Sequence, residues 1–161
     1  MKKLKKLDGA VDKLFEWIEP LENRTGVILW QLPPMLRKDP ERLNGFLSLL
    51  PKQYKYAVEF RHRSWLAEDI FKLLRRYRVG HVSLSSQGMP MNLTVTSNVV
   101  YIRFHGLEGG AAHDYTRREL EPWAKHVRQQ ARKGKQVFAY FNNDTNVRVP
   151  ANAKMLMAMV G

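Results

Sequence analysis

Five short, largely apolar runs constrain this chain more than any other feature: Val27–Leu32, Tyr56–Phe60, Val79–Leu84, Val99–Phe104 and Gln136–Phe141. Runs of this length, apolar at nearly every position, suit strands buried on both faces, and such strands belong to parallel sheets covered by helices. The fourth run shows the plan most clearly. It reads Val99-Val100-Tyr101-Ile102-Arg103-Phe104-His105-Gly106 and ends in a guanidinium, an imidazole and a glycine. Polar groups at the C-terminal end of an apolar strand are where α/β proteins place their sites.

The segments between the runs carry a helical period. Leu7, Val11, Leu14, Phe15, Ile18 and Leu21 predict an amphipathic helix over residues 6–22, with a turn from Asn23 to Gly26. Pro33-Pro34 stops the first strand, because proline donates no ladder bond. Asp39-Pro40 predicts an N-cap followed by proline at the first helical position, with Leu43, Phe46, Leu47 and Leu50 facing inward. A third helix, from about Ala67 to Tyr77, turns Ile70, Phe71, Leu73, Leu74 and Tyr77 inward. Ser85–Thr96 reads as loop. Gly106–Asp114 is a glycine-rich connection into a capping box at Thr116 and Glu119. The helix opened there buries Leu120, Trp123, Val127 and Ala131 and stops at Gly134; a last helix runs from Pro150 to about Met159. The expected fold is therefore α/β: a partial TIM-barrel-like parallel sheet of about five βα units, with helices outside. At 161 residues the chain suits one domain and is too short for a complete eight-fold barrel, which takes about 250 residues.

Charge and cysteine content narrow the function classes. The net charge of +12 draws a protein towards nucleic acid, anionic membranes or phosphorylated substrates. Many of the cations fall in three stretches spread along the chain, Lys2–Lys6, Arg61–Arg78 and Arg117–Lys135, mostly between apolar helix positions. That pattern fits either a solvated basic surface or an anion-binding face. Absence of cysteine excludes disulfides, thiolate zinc sites and thiol nucleophiles. No apolar run approaches the roughly 18–20 residues of a membrane span, and no apolar stretch follows the basic start. The expectation is a cytoplasmic protein with no membrane partner.

Strand alternation gathers the candidate chemistry. Tyr101, Arg103 and His105 share one face of their strand, as do Ala57, Glu59 and Arg61 of an earlier one. Glu59, Arg61, Arg103 and His105 can thus point into one space. Two guanidiniums there suit a phosphate, a carboxylate or a sugar acid through their bidentate fork. A self-satisfying Glu59–Arg103 or Glu59–Arg61 ion pair is the plainer reading. Asn142-Asn143-Asp144 can supply rim amides and a carboxylate, or serve as turn formers. Gln31 can reach the site from a third strand, and Trp65 is either a stacking wall or core. Glu59, His105 and Asp144 are plausible metal ligand types, but no tight spacing supports a metal. Phosphate-loop, dinucleotide, serine-elbow and zinc-protease signatures are all missing, so P-loop nucleotide hydrolysis, dinucleotide redox chemistry and serine hydrolysis lose their usual support, and the cofactor is unknown from the sequence.

The strand ends form a recognisable series. Gln31-Leu32-Pro33-Pro34, Glu59-Phe60-Arg61-His62-x-Ser64-Trp65, Tyr101-Ile102-Arg103-Phe104-His105-Gly106 and Tyr140-Phe141-Asn142-Asn143-Asp144 occur in order, with Asn152-Ala153 and Leu156 after them. The set resembles the YecE-like family, known as domain of unknown function 72, from about residue 5 to the end. The resemblance implies a TIM-barrel-like fold with a pocket of Gln31, Glu59, Arg61, Trp65, Arg103, His105, Asn142 and Asn143 at the strand ends. It implies no reaction. Members usually begin with further strands and helices that nothing here matches, so the chain corresponds to the C-terminal five-eighths of the barrel. Self-association or the missing segment would then cover the open sheet. Members also often carry a glycine where this chain reads Thr145-Asn146-Val147-Arg148.

These observations support an enzyme acting on a small anionic or sugar-like molecule. Arg61 and Arg103 would clamp the anion, Glu59 or His105 would do acid–base work, and Asn142, Asn143 and Asp144 would orient it. A basic nucleic-acid-binding protein and an inactive barrel fragment are the alternatives.

Overall fold

The computed structural model describes residues 8–161. Helix α1 (Asp8–Ile18) leads into strand β1 (Val27–Gln31), helix α2 (Pro40–Ser48), strand β2 (Lys55–Glu59) and helix α3 (Glu68–Arg76). Strands β3 (Gly80–Ser86) and β4 (Val99–Gly106) come next, then helix α4 (Arg117–Arg132), strand β5 (Gln136–Phe141) and helix α5 (Val149–Val160). All neighbouring strands are parallel and lie in chain order, β1-β2-β3-β4-β5. Order without a reversal is the barrel progression rather than the doubly wound one. Among the described residues, no strand pairs with the outer edges of β1 and β5.

The sheet is curled into a half-barrel. Arg103 of β4 reaches Gln31 of β1 at 3.0 Å, and Lys55 of β2 reaches Gln136 of β5 at 2.8 Å. In a flat sheet, strands three apart stand about 14 Å from each other, too far for such contacts. Curling divides the core. Outside, Tyr56, Val58 and Phe60 pack under α1, α2 and α3, while Val100, Ile102 and Phe104 pack under α4 and α5. Inside, Ala57, Val82, Leu84, Val99 and Tyr101 line the concave face. No helix among the described residues is long and apolar enough to cross a membrane.

The predicted capping devices form. Asp39 accepts the Arg42 N–H with Pro40 at the helix start, and Thr116 and Glu119 complete the reciprocal capping box. Three expectations are corrected. The first helix ends at Ile18 rather than residue 22, in a 3-10 turn over Glu19–Arg24, because Pro20 removes a helical donor and restricts the residue before it. Its Leu21 is exposed accordingly, and residues 6 and 7 lie outside the described ones. Ala131 is exposed while Gln130 is buried, since the chain folds back over Gln130, whose carbonyl accepts the Lys133 and Lys135 N–H groups. As the loop expected after it implies, β3 carries no helix behind it. Leu93 and Val95 of the extended 87–98 connection pack on the outer cluster in place of one.

Candidate functional site

Glu59 is the last residue of β2 and is fully buried on the concave face. Period-two alternation brings the inward side chains of the neighbouring strands around it. Its Oε1 accepts from Arg61 at 2.9 Å and its Oε2 from Arg103 at 2.6 Å. His105 Nε2 stands 3.5 Å from Oε1 and has no hydrogen-bond partner of good geometry. Burial by itself would raise the Glu59 pKa; the facing His105, Arg61 and Arg103 outweigh it and bring it down to about 2. Of those three, the guanidiniums make true hydrogen bonds, so they dominate. Glu59 is therefore a carboxylate at any ordinary pH. It cannot serve as a general acid, and its basicity is spent on the arginines.

The two arginines differ in how fully they are engaged. Arg103 donates to Glu59, to Gln31 at 3.0 Å and, through Nε, to Asn142 Oδ1 at 3.1 Å. It is a strut joining β1, β2, β4 and the end of β5. Arg61, two residues past the end of its strand pairing, is more exposed (28% against 15% for the Arg103 side chain). Among the described residues, Glu59 is its one recorded hydrogen-bond partner. Two guanidiniums against one carboxylate leave a formal +1 before any charge on His105. The arrangement can hold one anionic group on the free edge of Arg61, with His105 and the Asn142 amide nitrogen at the same rim.

The remaining expected residues separate into two groups. Gln31, Glu59, Arg61, Arg103, His105 and Asn142 are brought together. Trp65 is not: it is fully buried outside the sheet, stacked on Phe60 at 5.0 Å, and donates to the Leu36 carbonyl at 2.7 Å. The 3-10 turn over Arg63–Trp65, capped by His62, rotates the indole away from the concave face. Asn143 is buried and donates to the His113 carbonyl and to Asn152 Oδ1 at 2.8 and 2.7 Å. It locks the β5 end to α5 and to the β4–α4 connection. Asp144 is exposed at that turn. Among the described residues, no group of three or more His, Asp or Glu side chains is placed to hold a metal ion.

Residues that sequence reasoning missed hold the rim in place. Asn152 donates to Asp114 at 2.9 Å and accepts from the Tyr115 N–H at 3.3 Å. The Tyr115 hydroxyl meets Ser85 Oγ at 2.8 Å and accepts the Gly106 N–H at 3.0 Å. Gly106 is required there: its φ is 86° and a Cβ would fall 1.7 Å from the Gly110 carbonyl oxygen. Tyr115 immediately precedes a capping box, and that position was its one sequence signal.

Comparison with known proteins agrees with this fold. The family described as "Protein of unknown function DUF72" matches residues 1–161. A Bacillus subtilis (strain 168) protein, UPF0759 protein YunF, is 24% identical over 166 residues, covering 86% of this chain and 58% of its own length. A DUF72 family protein of Thermotoga maritima MSB8, solved by crystallography, superposes with a TM-score of 0.88 at 26% identity, over 96% of this chain and 65% of that one. Another, from Enterococcus faecalis V583, gives 0.87 at 18% identity, over 95% and 66%, and shows the fold alone. The chain thus spans less than two thirds of the length of each of these relatives.

Proposed function

This chain belongs to the DUF72 family of proteins of unknown function, and from that premise we propose that its arginine–glutamate cluster binds a small anionic or sugar-like molecule as an enzyme substrate. One observation carries the reading: a buried carboxylate fixes two guanidiniums, and the outer one keeps donors to spare. Burying this much charge without a ligand to meet it is costly compared with an apolar core. In this reading Glu59 orients the arginines, Arg61 clamps the anion, Asn142 directs a second polar group, and His105 supplies acid–base chemistry. Asn143 and Asp144 belong to the turn that carries Asn142.

Thermal unfolding in the presence of a library of small carboxylates, phosphates and sugar acids tests the proposal. A ligand at about 100 times its Kd adds about 2.7 kcal/mol, a rise of several degrees in Tm for a domain of this size. The rise is expected to vanish in Arg61→Gln, which removes the free guanidinium and leaves the Glu59–Arg103 strut. A hit whose stabilisation survives both Arg61→Gln and Asn142→Ala would overturn the site assignment.

A further inference from the structure

We propose that the opposite end of the half-barrel is a second anion site, one that holds the phosphodiester backbone of a single-stranded nucleic acid. A cleft of about 1080 Å³ opens there among the connections that enter β2, β3, β4 and β5. Lys52, Lys55, Arg75, Arg76, Arg78 and Lys135 line it, and no Asp or Glu does so among the described residues. Among the described residues, Arg75 alone of the six has a carboxylate partner, Glu68 at 2.6 Å. Lys55 and Lys135 are held by neutral groups, Gln136 and the Ser97 carbonyl with Asn98, which fix their positions and leave their charge uncompensated.

Helix ends oppose this field but do not cancel it. Helices α2, α3 and α4 end towards the cleft, and each C-terminus contributes about half a negative charge. About one and a half negative charges cannot offset five unpaired cations. Arg78 adds an independent indication. It follows the C-cap of α3 with φ 56°, a left-handed position where glycine is ordinarily the least strained residue. The equivalent place after α4 is Gly134, with φ 73°. Here a cation is kept at a strained position that opens onto the cleft.

At about 1080 Å³ the cleft stands at the upper end of the roughly 300–1,000 Å³ of small-molecule sites, with room for a short segment of an extended polyanion. Tyr54 and Tyr77 line it, but Tyr54 is stacked on Phe15 and Tyr77 is bonded to Asn44 and covered by Arg76. Their faces are occupied, so recognition runs through phosphates rather than stacked bases.

Fluorescence anisotropy with a labelled single-stranded uridine dodecamer, from 50 to 300 mM salt, tests the site. Binding is expected, with affinity falling steeply with salt. The cleft variant Lys52→Gln/Arg76→Gln/Arg78→Asn should lose on the order of a hundredfold at 0.1 M salt, and its salt slope should fall by about 2. A charge-matched control on exposed positions of α4, Arg117→Gln/Arg118→Gln/Lys125→Gln, should bind nearly as wild type, and Arg61→Gln should leave strand binding unchanged. Thermal melts confirm that each variant is folded. Absence of binding at 50 mM salt, or equal losses in the cleft and control variants, would overturn the proposal.

Discussion

The two ends of the half-barrel are both basic, and they handle charge in opposite ways. At the C-terminal end Glu59 is fully buried and bonded to Arg61 and Arg103, so each charge has a fixed partner and direction. At the N-terminal end most of the lining cations have neutral partners or none, and water screens them. The first arrangement suits recognition of one small group in one orientation. The second suits a flexible polyanion and depends on ionic strength. Position in the barrel, rather than the number of cations, decides which kind of site an arginine makes.

The sharpest way to break this contrast is to remove one charge from each end. Glu59→Ala leaves two partly desolvated guanidiniums without their carboxylate, and should cost about 3 kcal/mol in urea unfolding. Arg76→Gln at the other end should change stability by no more than about 0.5 kcal/mol. Equal effects would mean that the Glu59 cluster is as solvated as the cleft.

Acid offers a second separation, because two buried groups lose their stabilisation in different pH windows. His81 is buried between Phe71 and Phe60, with neither ring nitrogen hydrogen-bonded, and burial pushes its pKa down to about 4. The unfolded chain takes up that proton near pH 6.5 and the folded chain does not. Stability from this group is therefore complete above pH 6.5 and declines as pH falls through about 4, by up to about 1.4 kcal/mol per pH unit. Glu59 acts in a lower window: its stabilisation is complete above its ordinary pKa of 4.5 and is lost as pH falls through about 2. Urea midpoints at pH 8, 5 and 3.5 check both. In His81→Phe the loss between pH 8 and 5 should shrink, whereas in Glu59→Gln the further loss below pH 4.5 should.

A smaller effect is expected from the rim. Asn152→Ala removes the partner of Asn143 and the acceptor of the Tyr115 N–H, leaving buried polar groups unsatisfied. The cost should be about 1–3 kcal/mol. A double cycle with Asn143→Ala should show strong coupling, whereas Asn142→Ala should couple to neither, although it is adjacent in sequence.

That adjacency shows what the sequence could and could not disclose. Period-two reasoning correctly placed Glu59, Arg61, Arg103 and His105 on one face, because it needs only strand parity. The same parity carries from Phe138 and Tyr140 to Asn142, and sends Asn143 to the other side. Reading the asparagine pair as a unit obscured this. Trp65 was open between stacking wall and core, and only the resemblance drew it into the pocket; the turn after Glu59 rotates it into the core. Gln31 could be brought towards the site from a third strand, but its bond to Arg103 depends on how far the sheet curls, which parity does not disclose. The basic cleft was visible as charge alone. Its cations come from three separate connections, and only the folded chain gathers them.

Each end also holds one non-glycine residue in the left-handed region, and the pair gives the finest test of the contrast. Val147 has φ 53° in the turn after β5, where its N–H donates to the Asp144 carbonyl. Its β-branched side chain is 75% exposed, so little packing offsets the strain. Val147→Gly should therefore stabilise the protein by about 1 kcal/mol, less the entropy cost of glycine in the unfolded chain. Arg78→Gly relieves the same kind of strain in a residue that is not β-branched, and should stabilise by less. The two should then part in function: Val147→Gly leaves dodecamer binding unchanged, and Arg78→Gly weakens it. A stabilised Arg78→Gly with full affinity would mean that the arginine is there for no charge-related reason, and that the two strained positions are equivalent.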